Sequence, residues 1–323
     1  MAGIWPLGDK ELNIGILGMT EGNGHPYSWS AMFNGYNREH MDKCPFPVIP
    51  VYLNKQPAHT IGIPGARITH IHCDNRADAE DVARCSLIEN VVNKPEDMIG
   101  QVDAVICATD IGSEHVERCR PFIEADIPMF IDKPLVDNEK DLQTFVKWRK
   151  EGKHFISSSS MRYVKTNEPY FKNHYEIGKL MYICKPMCKK WETYGIHALE
   201  CIYPFLGEGF ESIQNTGTYE RNMIHITHKS GCDVHIPLTA EMYGASGITM
   251  LIGSAGNKIL TDSDSYYSFK KQLDKFVEYL RTGVEPFPFS ETIELMKLLI
   301  GGIMSREQGG RKVLLSEIKE TES

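Results

Sequence analysis

The sequence predicts an α/β protein whose first domain holds a parallel sheet and whose second is an α+β domain with a mostly antiparallel sheet. Three observations support this prediction. A short apolar strand ending in glycine occupies residues 12–18, a strand, a helix and a second strand follow one another over residues 102–135, and beyond residue 178 the apolar period shifts toward two. At 323 residues the chain is long for one hydrophobic core, so we expect two domains, residues 1–136 and 137–323.

The first predicted strand ends at Gly18 and is followed by a glycine-rich loop that contains Gly22 and Gly24. A helix is predicted after this loop, at about residues 28–36. Glycines let backbone amides approach a pyrophosphate at the N-terminus of a helix, so these three glycines are predicted to bind a dinucleotide. The spacing departs from the usual fingerprint because Tyr27 stands where a third glycine is expected, and a plain turn is the alternative.

Residues 37–66 are predicted to be a loop insertion in the first domain. Three prolines fall within six positions from Pro45, and proline interrupts the hydrogen bonding of a central strand. Long loops usually cover a site or an interface, and the sequence leaves both open. The polar and aromatic groups of His25–Trp29 either line the site or pack against this insertion.

Residues 66–73 alternate in polarity like a strand and end at Asp74. An acid at the end of the second strand of such a sheet hydrogen-bonds the adenosine ribose hydroxyls of a dinucleotide, which favours NAD over NADP. Arg76 could instead meet a 2′-phosphate, so NADP stays open. A helix capped by Asp78 is predicted over residues 78–88.

The centre of the first domain is a strand–helix–strand unit over residues 102–108, 113–125 and 129–131. Two parallel strands joined by a helix form a right-handed unit, and ligands of such sheets bind at the carboxyl ends of the strands. Thr109 and Lys133 lie at those ends. We therefore predict a ligand site there, in a Rossmann-type sheet.

This stretch also carries a family resemblance. The runs V-D-A-V-x-x-A-T and I-D-K-P-L, with a histidine between them, resemble the glucose–fructose oxidoreductase/inositol dehydrogenase/MocA family of nicotinamide-dependent dehydrogenases. The Glu-Lys-Pro of that family is here Asp-Lys-Pro, so the acid, Asp132, is one methylene shorter. The resemblance implies that Lys133 hydrogen-bonds and protonates the substrate oxygen, and that Thr109, Asp132 and Lys133 contact the cofactor.

A second part of the resemblance is the run W-E-T-Y-G-I-H-A-L-E, which starts at Trp191. It is similar to the start of the family's active-site helix, where an Asp and a His four residues apart share one face. His197 matches the histidine, which implies a part in proton transfer, but Thr193 stands in place of the Asp. Threonine cannot stay ionised beside an imidazole, and Glu200 on the same face could replace the acid in part.

Three further side chains are predicted to bind the substrate. Arg162 matches a family position where an arginine at a strand end approaches the site, here the strand predicted over residues 155–163. Tyr194 and Lys190 are candidates because they lie beside His197 in the sequence. Other predicted elements of this domain are a helix over residues 138–152 capped by Asn138, successive strands beyond residue 178, and helices over residues 266–281 and 290–308.

Composition and charge argue against several classes of partner. The net charge of −8 disfavours a nucleic acid or an anionic membrane surface. No apolar run approaches the roughly 20 residues needed to span a bilayer. The first residues do not resemble a secretory signal, and nine scattered cysteines suit a reduced, cytoplasmic protein. The pair His70 and His72 and the group His225, His228 and His235 match no known ligand spacing, so no metal is predicted.

The sequence therefore predicts an NAD(P)-dependent oxidoreductase acting on a secondary hydroxyl or ketone of a sugar, a cyclitol or a sugar derivative. The resemblance also implies a homodimer or homotetramer. Two alternatives stay open. One is an enzyme that retains NAD and uses transient oxidation for elimination or hydrolysis of a glycoside. The other is a non-catalytic cofactor-binding protein, which Thr193 and the irregular glycine loop favour.

Overall fold

A computed structural model describes residues 5–321, which form two compact units. The first unit comprises the described residues up to Asp132 together with Lys147–Ser157 and Phe269–Pro286, and the second comprises Lys133–Val146, Ser158–Ser268 and the described residues from Phe287. This division differs from the predicted boundary at residue 136. The reason is that residues 147–157 end with a strand of the first unit's sheet, which returns the chain to that unit.

The first unit is built on a parallel sheet. Its strands are β1 Leu12–Gly18, β2 Ala66–Cys73, β3 Asn90–Val91, β4 Ala104–Cys107, β5 Met129–Ile131 and β6 Phe155–Ser157. Within residues 5–321 these six strands lie in the order β3-β2-β1-β4-β5-β6, and every neighbouring pair is parallel. This is the doubly wound order, in which the strand sequence reverses between β1 and β4, so the predicted fold class of the first domain is confirmed.

Three strands have the predicted bounds and two are shorter. β1, β2 and β5 begin and end where the sequence predicts, whereas β4 is trimmed to Ala104–Cys107. The prediction of one strand over residues 155–163 is wrong beyond Ser157. The side chain of Ser159 accepts a hydrogen bond from the Met161 amide at 3.0 Å, and a 3₁₀ turn, Ser160–Tyr163, follows it.

The helices are α1 His25–Asn34, α2 Arg38–Met41, α3 Val48–Leu53, α4 Arg76–Ser86, α5 His115–Glu124, α6 Glu139–Lys150, α7 Ile196–Leu206, α8 Ser265–Thr282 and α9 Phe289–Glu307. Two predicted starts are corrected. α1 begins three residues early because Pro26 fits the first turn of a helix. α4 is capped by Asn75, whose side chain accepts the Ala77 amide at 3.0 Å, so Asp78 lies inside the first turn. None of the helices within residues 5–321 has the length and apolar character that crossing a bilayer requires.

The segment of residues 37–66 is not a plain loop, which corrects the prediction of a loop insertion. It contains α2, α3 and a 3₁₀ turn, Ala58–Thr60. Asn37 caps α2, and Pro47 precedes α3, where its fixed φ suits a helix start. The prolines exclude a strand here, as expected, but they also provide a helix start that the sequence reading missed.

The second unit contains the other sheet. Its strands are β7 Leu180–Cys184, β8 Met187–Cys188, β9 Phe210–Asn215, β10 Arg221–His228, β11 Asp233–Thr239, β12 Ile248–Gly253, β13 Asn257–Thr261 and β14 Val313–Leu314. In the described part of the chain they lie in the order β13-β12-β7-β11-β10-β9-β14, with β8 beside β11. Only β7 and β8 run parallel to β11, and the remaining pairs are antiparallel. The prediction of a mostly antiparallel sheet is confirmed.

The approach to α7 in the second unit is fixed by one buried tryptophan. Trp191 opens a wide turn, Trp191–Gly195, that runs directly into α7. Its indole nitrogen donates a hydrogen bond to the carbonyl of Leu299 at 2.9 Å. A Cβ atom on Gly195 or on Gly302 would lie 2.4 Å or 2.5 Å from atoms of this ring. Both positions therefore require glycine so that the ring can fit.

We predict that Gly302→Ala destabilises the protein by about 1–3 kcal/mol, because the added methyl overpacks a ring held by a hydrogen bond. Alanine in a helix would otherwise stabilise it by about 1 kcal/mol. The measurement is urea unfolding, with Gly244→Ala as the matched control because nothing lies within 4 Å of a Cβ there. Unchanged or increased stability of Gly302→Ala would contradict the proposed packing.

Candidate active site

The predicted cofactor loop of the first unit joins β1 to α1. A Cβ on Gly18 would lie 2.5 Å from the Pro26 ring, and a Cβ on Gly24 would lie 2.7 Å from the Phe46 ring. Gly22 has a φ of +76°, and nothing lies within 4 Å of a Cβ built on it. Gly18 and Gly24 are thus required for close packing inside the unit. Gly22 is the glycine whose backbone has open space beside it.

The N-terminus of α1 suits an anion. Within the described residues, its cap, Gly24, provides no side-chain hydrogen bond, and the first turn carries no acidic residue. The exposed amides and the dipole of a helix start attract a phosphate group. The residues present in this loop therefore fit the pyrophosphate of a dinucleotide.

Asp74, the predicted ribose-binding acid, follows β2 and pairs with an arginine from α5. Arg118 donates to both carboxylate oxygens, at 3.0 and 2.7 Å. These hydrogen bonds are the main reason that the pKa of Asp74 lies below its usual value. Arg76, the predicted competitor, instead donates to Glu80 at 2.8 Å. The sequence offers no local signal for the Asp74–Arg118 pair, whose members are 44 residues apart.

The carboxyl ends of β4 and β5 hold a second polar network of the first unit. Thr109 is buried, and its carbonyl lies 2.9 Å from Nε2 of His115. Asp132 is 1% exposed, and its carboxylate lies 2.6 Å from Nδ1 of His25. Asn23 braces this pair, because its side-chain amide donates to the Ala108 carbonyl at 3.1 Å and to Asp132 at 3.4 Å, and its oxygen accepts the His25 amide.

In the second unit the structure brings together Lys133, Tyr194 and His197. Lys133 is 2% exposed, and its Nζ donates to the Thr193 carbonyl at 3.5 Å. The same ammonium lies 5.1 Å from the centre of the Tyr194 ring, within the range of a cation–π contact. The Tyr194 ring meets the His197 ring edge-on at 4.7 Å. Three predicted site residues therefore form one cluster.

The imidazole of His197 has the hydroxyl of Ser159 as a hydrogen-bond partner. Its Nδ1 lies 2.6 Å from Oγ of Ser159, which follows the end of β6 at Ser157. Thr193 contributes its backbone carbonyl to Lys133. Glu200 directs its oxygens to the guanidinium of Arg162 and to the amide of Ser159. Glu200 therefore does not take the place of the missing acid.

Arg162, a predicted substrate ligand, is buried in an ion cluster. Its Nε pairs with Glu200, its Nη1 donates to Glu291 at 2.6 Å, and its guanidinium lies 4.0 Å from the centre of the Phe287 ring. Burial raises the pKa of Glu200. Nη2 of Arg162 is buried and makes no hydrogen bond with the residues that the structure describes. Substrate binding by Arg162 stays a prediction, and the contacts present are structural.

Two neighbouring lysines lie over different aromatic rings. Lys190 is exposed and lies over the Tyr219 ring at 5.3 Å. Lys189 lies 4.2 Å from the centre of the Tyr194 ring, so it belongs to the Lys133 cluster. The sequence analysis did not single out Lys189, whose φ of +63° lies in the left-handed region that few non-glycine residues adopt. Substrate binding by Lys190 stays a prediction.

The histidines set aside as metal ligands have other partners. His225 hydrogen-bonds Asp233 at 2.7 Å and stacks on His235 at 4.9 Å. His70 lies 2.9 Å from the hydroxyl of Thr69. In the described part of the chain no group of three or more His, Cys, Asp or Glu side chains is arranged to hold a metal ion.

Comparison with known proteins gives structural matches only. No protein-family model and no curated protein sequence matches the chain. A protein from Thermotoga maritima described as a probable dehydrogenase matches with a TM-score of 0.73 and 15% identity, over 95% of this chain and 100% of that chain. Myo-inositol dehydrogenase from Lactobacillus casei, in complex with NAD(H) and myo-inositol, matches with a TM-score of 0.70 and 14% identity, over 94% and 96%.

Scyllo-inositol dehydrogenase from Lactobacillus casei, with bound NAD(H) and scyllo-inositol, matches with a TM-score of 0.72 and 13% identity, over 95% of this chain and 100% of that chain. These likenesses extend over both units of the chain. At such low identity they establish a shared fold.

We predict that Glu200→Ala destabilises the protein by about 3–5 kcal/mol, because it leaves the Arg162 cation buried without its main partner. Glu291→Ala should cost about 1 kcal/mol, since the Glu291 side chain is partly exposed and its charge is screened. Urea unfolding of both variants measures the difference. Equal losses would contradict the view that burial of the Arg162–Glu200 pair sets the cost.

Proposed function

We propose that the chain is an NAD(P)-dependent oxidoreductase acting on a secondary hydroxyl or ketone of a sugar, a cyclitol or a sugar derivative. The observation that carries the proposal is the buried Lys133 ammonium, clustered with Tyr194 and His197. Lys133 follows Asp132 directly in the chain, at the end of a strand of a doubly wound sheet. The inositol dehydrogenases of the same fold, which bind NAD(H), support the choice of cofactor and substrate class.

The first unit provides the cofactor-binding residues of the proposal. The open backbone at Gly22 and the start of α1 would hold the pyrophosphate, and Asp74 would hold the adenosine ribose. Thr109 and Asp132, at the ends of β4 and β5, would contact the nicotinamide half. When bound, the nicotinamide supplies an acceptor for the hydride that leaves the carbinol carbon.

In the second unit, Lys133 would hydrogen-bond the substrate oxygen and exchange a proton with it. The Thr193 carbonyl and the Tyr194 ring fix the direction of its ammonium group, which limits the geometries available to the oxygen. His197 would take part in proton transfer, with its ring orientation set by the Ser159 hydroxyl. A fixed donor and a fixed imidazole meet the requirements of reversible hydroxyl oxidation.

The test is a fluorescence titration of the purified protein with NADH and NADPH, followed by a panel of sugars and cyclitols assayed for nicotinamide reduction. Binding of either dinucleotide together with reduction by a panel member supports the proposal. Cofactor that co-purifies and does not exchange, while a glycoside is converted, would favour the NAD-retaining alternative. Absence of binding in protein shown to carry no cofactor would favour the non-catalytic alternative.

We predict that Lys133→Met lowers kcat by about 10²–10⁴-fold and changes the NADH dissociation constant by less than about threefold, because the ammonium acts on the substrate oxygen. Steady-state kinetics and the NADH titration measure the two effects. The control is Lys43→Met, which removes an exposed lysine whose ammonium lies 3.1 Å from Glu39. Equal losses of turnover and cofactor affinity would contradict the catalytic assignment of Lys133.

We predict that Asp74→Ala weakens NADH binding about tenfold and strengthens NADPH binding, because it removes the ribose acceptor and releases Arg118 for a 2′-phosphate. Titration of each variant with both dinucleotides measures the selectivity. Arg76→Ala is the control and should leave both affinities within about twofold, since Arg76 is paired with Glu80. Equal effects of Asp74→Ala on the two dinucleotides would show that Asp74 is not the selector.

A further inference from the structure

We infer that His25 is a second acid–base catalytic residue of this enzyme and that Asp132 is its positioning residue. The inference rests on the proposed function. It starts from a carboxylate–histidine pair within the first unit, in which Nδ1 of His25 lies 2.6 Å from the buried Asp132 carboxylate. A carboxylate accepts the Nδ1 proton of an imidazole and stabilises the imidazolium that forms when Nε2 takes up a second proton.

Two aromatic rings pack against the ring of His25. It stacks on the Trp29 ring at 4.3 Å and meets the Phe269 ring edge-on at 5.3 Å. Its backbone amide donates to the Asn23 side chain, which also contacts Asp132. Asp132 is the ionisable group among these contacts. No described residue between 5 and 321 hydrogen-bonds Nε2, and the side chain is 16% exposed, so this nitrogen remains open to a ligand.

The position of the pair in the sheet indicates which ligand it meets. His25 follows β1, Asn23 holds the carbonyl of Ala108 just after β4, and Asp132 follows β5. Asp74 follows β2, on the other side of β1. A dinucleotide lies across the carboxyl ends of such a sheet with one half on each side of the point where the strand order reverses. If the adenosine of the dinucleotide binds at Asp74, the nicotinamide half of the same molecule lies on the side of His25.

The second unit holds the other candidate for proton transfer. Nδ1 of His197 lies 2.6 Å from the Ser159 hydroxyl, and Glu200, on the same helix, pairs with Arg162. The hydrogen-bond partner of His25, by contrast, is a buried carboxylate, which stabilises the charged form of an imidazole.

In the step that we assign, Nε2 of His25 would take the hydroxyl proton of a substrate whose carbinol carbon gives its hydride to the bound nicotinamide. The products would be the ketone, the reduced cofactor and an imidazolium. The imidazolium then releases its proton to solvent through its exposed edge. In ketone reduction the same proton travels in the opposite direction.

The experiment measures the dissociation constants of NAD⁺ and NADH between about pH 5 and pH 8, the range in which a histidine changes charge. Only NAD⁺ carries a positive nicotinamide ring, so a protonated His25 beside that ring weakens the binding of NAD⁺ alone. We expect the ratio of the NAD⁺ to the NADH dissociation constant to rise about five- to tenfold toward low pH in the wild-type protein. The ratio should be flat in His25→Asn.

Asparagine is the informative replacement because its amide nitrogen occupies roughly the place of Nδ1. His25→Asn therefore retains the hydrogen bond to Asp132 and removes only the ring nitrogen Nε2. Asp132→Asn should reduce the rise in the ratio, because the imidazolium loses its carboxylate partner. His197→Asn, the matched control, should retain the wild-type pH dependence.

Three outcomes would overturn the inference and leave the proposed function intact. The first is a dissociation-constant ratio that is independent of pH in the wild-type protein. The second is a pH dependence that is lost in His197→Asn and retained in His25→Asn. The third is an equal loss of NAD⁺ and NADH binding in His25→Asn, which would give His25 a purely structural role. Failure of the wild-type protein to bind either dinucleotide would instead overturn the proposed function, and the inference with it.

Discussion

Two consecutive ionisable residues, Asp132 and Lys133, are almost completely buried where β5 ends. The arrangement of the candidate site depends on which groups hydrogen-bond or pair with each of these two side chains. A buried charge without hydrogen bonds or a partner costs several kcal/mol. Asp132 is held within the first unit by His25 and Asn23. Lys133 is held within the second unit by the Thr193 carbonyl and the Tyr194 ring. One dipeptide thus fixes a polar network in each unit.

At the position where the sequence resemblance implies an Asp, Thr193 offers its backbone carbonyl to Lys133. A nearby acid could compensate only if its charge were available to His197. Glu200 is on the right helix, but the buried guanidinium of Arg162 requires it, and the amide of Ser159 takes its other oxygen. The hydroxyl of Ser159 then becomes the partner of His197. A buried carboxylate is paired with a histidine at Asp132 and His25 in the first unit, whereas the pair of Asp233 and His225 is partly exposed.

The sequence predicts well what depends on local pattern. The bounds of β2 and β5, the cap at Asn138 and the change from a parallel to a mostly antiparallel sheet all follow from apolar period and cap chemistry. Small errors arise where two caps compete, as at α4, where Asn75 outcompetes Asp78. Residues 37–66 form short helices because prolines that stop a strand can also start a helix.

Long-range pairing is what the sequence cannot supply. Arg118 is 44 residues from Asp74, and Asp132 is 107 residues from His25, so no periodicity or spacing connects them. The resemblance implies roles for Lys133 and His197, and in the structure both lie in one cluster with Tyr194. The sequence left open whether His25 lines the site or packs against the insertion, and it gave no sign that Asp132 is its partner.

The irregular glycine loop packs against the segment of residues 37–66, and this packing accounts for its unusual spacing. In the usual fingerprint every glycine is needed for the turn, the phosphate or the contact of helix with strand. Here a Cβ on Gly24 would meet Phe46 and Ile49, so this glycine serves the packing of the inserted segment. Tyr27 contacts Phe46 with its ring, and Tyr52 of the same segment donates to the Ser28 hydroxyl. The segment of residues 37–66 therefore packs against the start of α1. In the usual fingerprint a third glycine lets the helix approach the sheet, and here this packing holds the helix start instead. His25 belongs to the first turn that is held in this way.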